Sequence, residues 1–331
     1  MNRSVAFIGF ENEFNYHLLS GPWRIFEATL ISRGYRIVSP DSNPEYFIFI
    51  NHHPRKYKRY VRNSKKTAII LMEPPSTSPQ NFRRNLPELF QNIYSPSPLW
   101  HGAGITSLFN WPIGKPANLK ENYHKRMVRS ISVHGNKFSL KEGNLYLLRR
   151  KLAEIVDLPI DTYGTQWNMR FHEKLLKVAS AISGIASPKE IKPKEIIDFI
   201  LFPRKNFTAT SMTKTQIMSK YRFSIVIEND PSYVSEKLWD ALNAETIPIY
   251  VGPRLLNFGI PENIVVQCDH SVESITSTFK SLLDTDCYSK YLMIREFKQS
   301  SRWSEQVNLT VIEKLAVSIA NNFDNQKYSV L

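Results

Sequence analysis

The chain has very little cysteine: Cys268 and Cys287 are the only two in 331 residues. A disulfide framework is therefore excluded as the organising device, and a reducing compartment is expected. Long apolar runs are missing too. No stretch approaches the roughly 18 apolar residues that a membrane span needs. The opening MNRSVAFIGFENEFNYHLL places Glu11 and Glu13 where a secretion signal would need an uninterrupted hydrophobic segment, so that pattern fails. There is no Walker or GxGxxG loop, no zinc-ligand spacing and no aromatic RNA-binding signature. No Ser-His-Asp or Cys-His arrangement stands out, and neither a repeat nor a low-complexity tract appears. His52-His53 is adjacent rather than helically spaced and lacks a third ligand, so it reads as the loop after the strand YFIFI. Asp284-x-Asp286 follows a helical stretch and reads as a chance pairing. What remains is a cytoplasmic enzyme of about two domains. Its 42% hydrophobic and 12% aromatic content is enough for a real core.

Acid is the other scarcity. Thirty Asp and Glu face 43 Lys and Arg, a formal net charge of +13. Nucleic acid, an anionic membrane or a phosphorylated substrate would each answer that charge. The sharpest contribution is PRKYKRYVRNSKK, residues 54–66, with seven basic residues and no acid. It reads either as a solvated face or as a peripheral contact, from Arg55 to Lys66, with phosphates of an anionic membrane or glycolipid. No nucleic-acid partner is expected.

What is there is alternation. SVAFIGF, YRIVS, EYFIFIN and KTAIILME read as strands in the first half, with PWRIFEATLISRG as a helix that Gly34 stops. RSISVHG opens a second series. It continues with the helix EGNLYLLRRKLAEIVD, IDTYG, YRFSIVIEN, the helix VSEKLWDALNAE, TIPIYVG and ENIVVQC. This pattern predicts an α/β chain of two parallel-sheet halves, residues 1–126 and 127–331, the second ending in a helix and tail.

Ligands of such sheets sit beyond the carboxyl ends of the strands. At one such end, IENDPSYVSEKLWDAL brings together Glu228, Asn229, Tyr233, Glu236 and Lys237. A helix N-terminus offers free N–H groups and partial positive charge, and holds phosphate. Lys237 in the first turn runs against the usual dipole preference unless an anion meets it. The plain alternative is surface charge at Glu236 and Lys237 with Tyr233 packed on the sheet. Trp239 and Leu242 read as core.

The stretch FSIVIEN…YVSEKLWDAL…TIPIYVG resembles the donor-binding signature of the α-1,3-fucosyltransferases, glycosyltransferase family 10. IDTYG, FGIPENIVV and IILMEPPS resemble flanking family segments. The resemblance covers the second half well and the first half thinly. It implies a GT-B architecture, two Rossmann-like domains facing a central cleft. It implies a bacterial-type soluble enzyme at the inner face of the membrane that transfers L-fucose from GDP-fucose with inversion and without a metal or other cofactor. A glycan of lipopolysaccharide or of a lipid-linked oligosaccharide is the implied acceptor. Asn229, Tyr233, Glu236 and Lys237 fall on donor-contacting positions, with Glu228 organising the loop, and Glu73 falls on the catalytic base, ahead of Glu11 and Glu13. One carboxylate suffices to take the proton of an attacking hydroxyl, and cations with helix N–H groups stabilise the departing diphosphate.

Two features depart from the family. The loop DPS is about two residues shorter than usual. The family's phosphate-binding arginine is replaced, with Lys137, Lys141 and Arg149 as candidates and Arg149 the choice. Two other readings stand beside this one: another nucleotide-activated deoxysugar as donor, and a non-catalytic basic protein that binds glycan or nucleic acid. Carboxylates and a lysine at Glu73, Glu236 and Lys237 argue for turnover over mere binding.

Overall fold

The computed structural model describes residues 3–9, 22–53, 60, 66–90, 92–96, 106–108, 119, 122–183, 192–205, 213–306 and 309–325. Glu11 and Glu13, and all of the basic segment except Tyr60 and Lys66, lie outside the described residues.

Two compact units emerge. The first is built on a six-stranded sheet in the order β2-β1-β3-β4-β5-β6. Its strands are β1 (Arg3–Ile8), β2 (Tyr35–Ile37), β3 (Tyr46–Ile50), β4 (Thr67–Ile70), β5 (Asn92–Ser95) and β6 (Thr106–Leu108). Every pairing is parallel. Strands β1 and β4 are apolar over consecutive residues because a parallel sheet is covered on both faces. Helix α1 (Pro22–Ser32) starts on proline, whose missing N–H costs nothing there, and ends before Gly34 at φ 84°. The sequence reading did not separate β5 and β6 from the proline-rich stretch that precedes them. A short helix, α2 (Leu86–Leu89), leads into β5.

The second unit carries a five-stranded parallel sheet in the order β11-β10-β9-β7-β8. Its strands are β7 (Met127–Val133), β8 (Ile160–Tyr163), β9 (Tyr221–Ile227), β10 (Ile247–Val251) and β11 (Val266–Gln267). The helices that matter for the site are α3 (Tyr146–Ala153), α6 (Lys214–Met218) and α7 (Glu236–Asn243). Between α3 and α6 come α4 (Phe171–Ser183) and α5 (Pro193–Leu201); α8 (Val272–Leu283) and α9 (Tyr288–Gln299) follow α7. ENIVVQC is only partly strand: Glu262–Ile264 form a 3₁₀ turn and two residues pair with β10. Asp286 accepts from the N–H of Tyr288 at 3.0 Å, so the Asp284-x-Asp286 pair marks the end of one helix and the start of the next.

The chain divides differently from the expected 1–126 and 127–331. The first unit comprises Met1–Lys115 and Ser300–Leu331, and the second Pro116–Gln299. After α10 (Ser301–Gln306), the last helix α11 (Leu309–Asn325) buries Ile312, Leu315, Ala316, Ile319 and Phe323 against Val5, Phe26 and Tyr46 of the first unit. Phe323 stacks on Tyr46 with ring centroids 4.4 Å apart, and Asp324 meets Arg3 and the Tyr35 hydroxyl at 3.1 and 3.0 Å. The helical spacing 312, 315–316, 319, 323 announces an apolar face. It does not say which sheet that face covers; the structure packs it on the first unit's sheet.

Candidate active site

The second unit assembles its polar residues where β9 gives way to α7. The Glu228 N–H donates to the Val251 carbonyl at 2.9 Å, extending the ladder by one residue. Its side chain is fully buried and accepts from the Ser235 N–H at 3.1 Å and the Ser235 hydroxyl at 2.5 Å. Burial pushes the Glu228 carboxyl up, against the pull of Lys237 and the Ser235 bonds. Ser235 caps α7, accepting at Oγ from the backbone N–H of Lys237 at 3.4 Å and from its Nζ at 2.8 Å. A buried carboxylate thus holds the cap, and the cap holds the lysine. Gly252 makes this packing possible: a Cβ there would lie 2.4 Å from the Tyr250 hydroxyl oxygen and 2.8 Å from Glu228 Cγ.

The short loop closes on itself. Asp230 Oδ1 accepts from the Ser232 N–H at 2.8 Å and from its hydroxyl at 2.5 Å. Tyr233 is 1% exposed, so its ring is core. Asn229 Oδ1 accepts from Arg149 at 2.8 Å, and the same guanidinium nitrogen of Arg149 donates to the Ile227 carbonyl at 2.5 Å. Arg149 is 2% exposed and lies over the Tyr146 ring. Its position on α3 therefore commits it to fastening the end of β9, a role its sequence position did not disclose.

Glu236 and Lys237 are the members that reach outward. Their side chains are 39% and 14% exposed, with Nζ and Oε1 3.6 Å apart. Burial opposes the charge of Glu236, but Lys237 and Lys214 outweigh it and hold the carboxyl below its usual value. Lys237 is pushed below the usual lysine value by burial, helped by Arg149 and opposed by Glu236. The exposed Lys137 lies close enough to bias both groups.

Sequence reasoning missed His134. It follows β7, buried, with Nδ1 2.9 Å from the Ser132 hydroxyl and Nε2 without a hydrogen-bond partner. Burial and the cations Arg149 and Lys237 drive its pKa well below the usual value, so the ring is neutral. With Lys214, Lys237 and Asp240 it lines a cavity of about 10 Å³, the size of roughly one water. Lys214 and Asp240 pair at 2.5 Å across α6 and α7. Gly164, at φ 139°, lets the chain pass the His134 carbonyl, which a Cβ there would meet at 2.0 Å. The crevice rule, applied to the end of β7 as it was to β9, would have found this histidine.

In the first unit, Glu73 stands three residues beyond β4, half-buried, ahead of Pro74. Its backbone is gripped from both sides. Asn51, after β3, adopts φ 53°, a left-handed conformation that asparagine tolerates. Its Oδ1 accepts from the N–H of Met72 at 2.8 Å, the N–H of Glu73 at 3.1 Å and the amide of Asn81 at 2.9 Å. Asn81 also donates to the Glu73 carbonyl at 3.1 Å and accepts from the His52 N–H at 2.6 Å. His52 and His53 do follow β3 as a loop. Burial, with Arg83 and His53, drives His52 down to about 4.

Residues 194–328 match the family described as glycosyltransferase family 10 (fucosyltransferase), C-terminal. The whole chain is also similar to solved structures. A crystal structure of an α1,3-fucosyltransferase superposes with a TM-score of 0.55 at 13% identity, covering 97% of this chain and 90% of that one. The same kind of enzyme solved with GDP-fucose gives 0.54 at 13% identity, with the same coverage. HepE of Anabaena, solved with UDP and glucose, gives 0.53 at 8% identity, covering 96% and 99%. Identities this low speak for the fold, two parallel-sheet α/β units of the GT-B kind.

Proposed function

We propose, from the match of residues 194–328 to glycosyltransferase family 10, that the chain is a member of that family and transfers L-fucose from GDP-fucose to a glycan hydroxyl with inversion. The observation that carries this reading is the charge at the start of α7. Lys137, Lys214 and Lys237 act there on Glu236, Lys214 and Lys237 on Asp240, and Arg149 on Glu228 and Glu236, while burial pushes the Glu228 carboxyl up. Burial works against the charge of Lys237, which Glu236 meets at 3.6 Å, and an arriving diphosphate adds a further anion there.

Within this reading Lys237, the exposed Lys137 and the N–H groups of α7 hold the diphosphate, and Glu236 accepts from sugar hydroxyls. Glu228, Asn229, Tyr233 and Arg149 shape the loop from behind. Glu73 takes the proton from the acceptor hydroxyl. That oxygen bonds to the anomeric carbon on the face opposite the diphosphate, the bond from that carbon to the β-phosphate oxygen breaks, and GDP leaves with the electron pair. Protein cations do the neutralising, so metal is not required. The acceptor is a glycan of lipopolysaccharide or of a lipid-linked oligosaccharide, met at the inner face of the membrane. No helix among the described residues is long and apolar enough to cross one.

The test is a donor panel. GDP-fucose, GDP-mannose, UDP-glucose and GDP are titrated while thermal stability is followed, with and without EDTA. GDP and GDP-fucose at a hundredfold excess over Kd should stabilise by about 2.7 kcal/mol, with EDTA neutral. Stabilisation by UDP-glucose alone would move the donor assignment to another sugar nucleotide.

A further inference from the structure

Glu73 carries the proposed chemistry, and it stands three residues beyond the end of its strand. Strand β4 ends at Ile70, and the N–H groups of Met72 and Glu73 fall beyond its ladder. Both donate instead to Asn51 Oδ1. The Glu73 carbonyl is taken by Asn81, and the two asparagines bond to each other. Four polar groups, from the ends of β3 and β4 and from the 3₁₀ turn Pro79–Phe82, close a ring around one residue. Asn81 is fully buried and has both ends of its amide in use, toward Glu73 and Asn51 on one side and the His52 N–H on the other. A single amide oxygen that accepts from three donors, held on a left-handed backbone, is a costly arrangement for a plain loop end.

We propose that Asn51 and Asn81 are positioning residues for Glu73. They fix the peptide planes on either side of its Cα, so the carboxylate leaves the strand end along one direction, and Pro74 removes the helical alternative. Because proton transfer needs the base within hydrogen-bond reach of the hydroxyl, loss of this clasp costs rate and leaves donor affinity alone. The inference rests on the reading of Glu73 as the base.

The clean variant is Asn51→Gly, since glycine adopts φ 53° without strain and removes the shared oxygen. Asn51→Asp keeps an acceptor oxygen and tolerates the same backbone. GDP release from GDP-fucose is followed with lipopolysaccharide-derived oligosaccharides as acceptor, alongside the GDP-induced thermal shift. Asn51→Gly should lower kcat about tenfold or more, with the KM for GDP-fucose and the GDP shift within twofold. Asn51→Asp should keep kcat within about threefold. Added to Glu73→Gln, Asn51→Gly should cost nothing further, because it acts through the residue already removed. Wild-type kcat in Asn51→Gly beside an inactive Glu73→Gln would overturn the clasp alone, as would losses that add in full. Full activity in Glu73→Gln would overturn the base assignment and the clasp with it.

Discussion

The proposed donor-side residues of the second unit and the proposed base of the first are held in opposite ways. In the second unit, ionisable side chains do the fastening: buried Glu228 grips Ser235, Ser235 grips Lys237, and Arg149 pins the end of β9. In the first unit, neutral amides grip the backbone of Glu73. The contrast fits the two tasks. A diphosphate carries charge before and after reaction, so a site for it can be built from fixed charges. A base changes charge during each turnover, and a strong cation fastened to it would hold its proton affinity too low to accept. Amides position without that electrostatic pull.

Breaking the contrast should separate rate from affinity. The largest effect is expected from Glu73→Gln, which keeps the shape and removes the base: transfer falls about 100-fold or more. GDP-fucose binding stays within about threefold, roughly 0.65 kcal/mol. Surviving transfer would send the search to Glu11 and Glu13. Lys237→Ala should do the reverse, weakening GDP by about 1.5–3 kcal/mol, read by calorimetry; unchanged affinity would remove the phosphate role of this lysine.

Gly252→Ala forces a methyl against Tyr250 and Glu228. It should cost about 1–3 kcal/mol of stability in denaturant melts and loosen the Ser235 cap, while a melt identical to wild type would contradict the packing described.

The smallest effect concerns pH. Lys237 sits below its usual value through burial and Arg149, with Glu236, Glu228 and Lys137 also acting on it. A bound diphosphate, fully ionised in the alkaline range, raises it again. Binding therefore takes up a proton, and GDP affinity should fall as the pH climbs through the lowered value of the free protein. Lys237→Arg, always charged, should flatten that fall, and equal slopes in both proteins would refute the linkage.

Much of this was legible in the residues. β-rich runs bounded by helical stretches gave the parallel sheets, and the cluster from Glu228 to Lys237 announced itself because charges near a helix start are conspicuous. β5 and β6 escaped because Asn-Ile-Tyr-Ser and Thr-Ser-Leu are short and partly polar. Arg149 was visible as a cation, but no pattern separates one that waits for phosphate from one spent on Ile227 and Asn229. Asn51 and Asn81 were out of reach for another reason. They stand thirty residues apart, carry no charge, and matter only once β3 and β4 lie side by side.

The path of the last helix bears on how this protein is born. The second unit is one uninterrupted stretch of chain, whereas the core of the first lacks Ile312, Ile319 and Phe323 until the helix Leu309–Asn325 is made. During synthesis the amino-terminal sheet therefore emerges first and is completed last, keeping Tyr46 and its apolar neighbours uncovered while the rest of the chain is translated. Domains normally fold from the amino end as they appear; here the first sheet receives its cover only after the second unit has been made. A released chain truncated after residue 306 should expose a protease-sensitive first unit beside a protected second one.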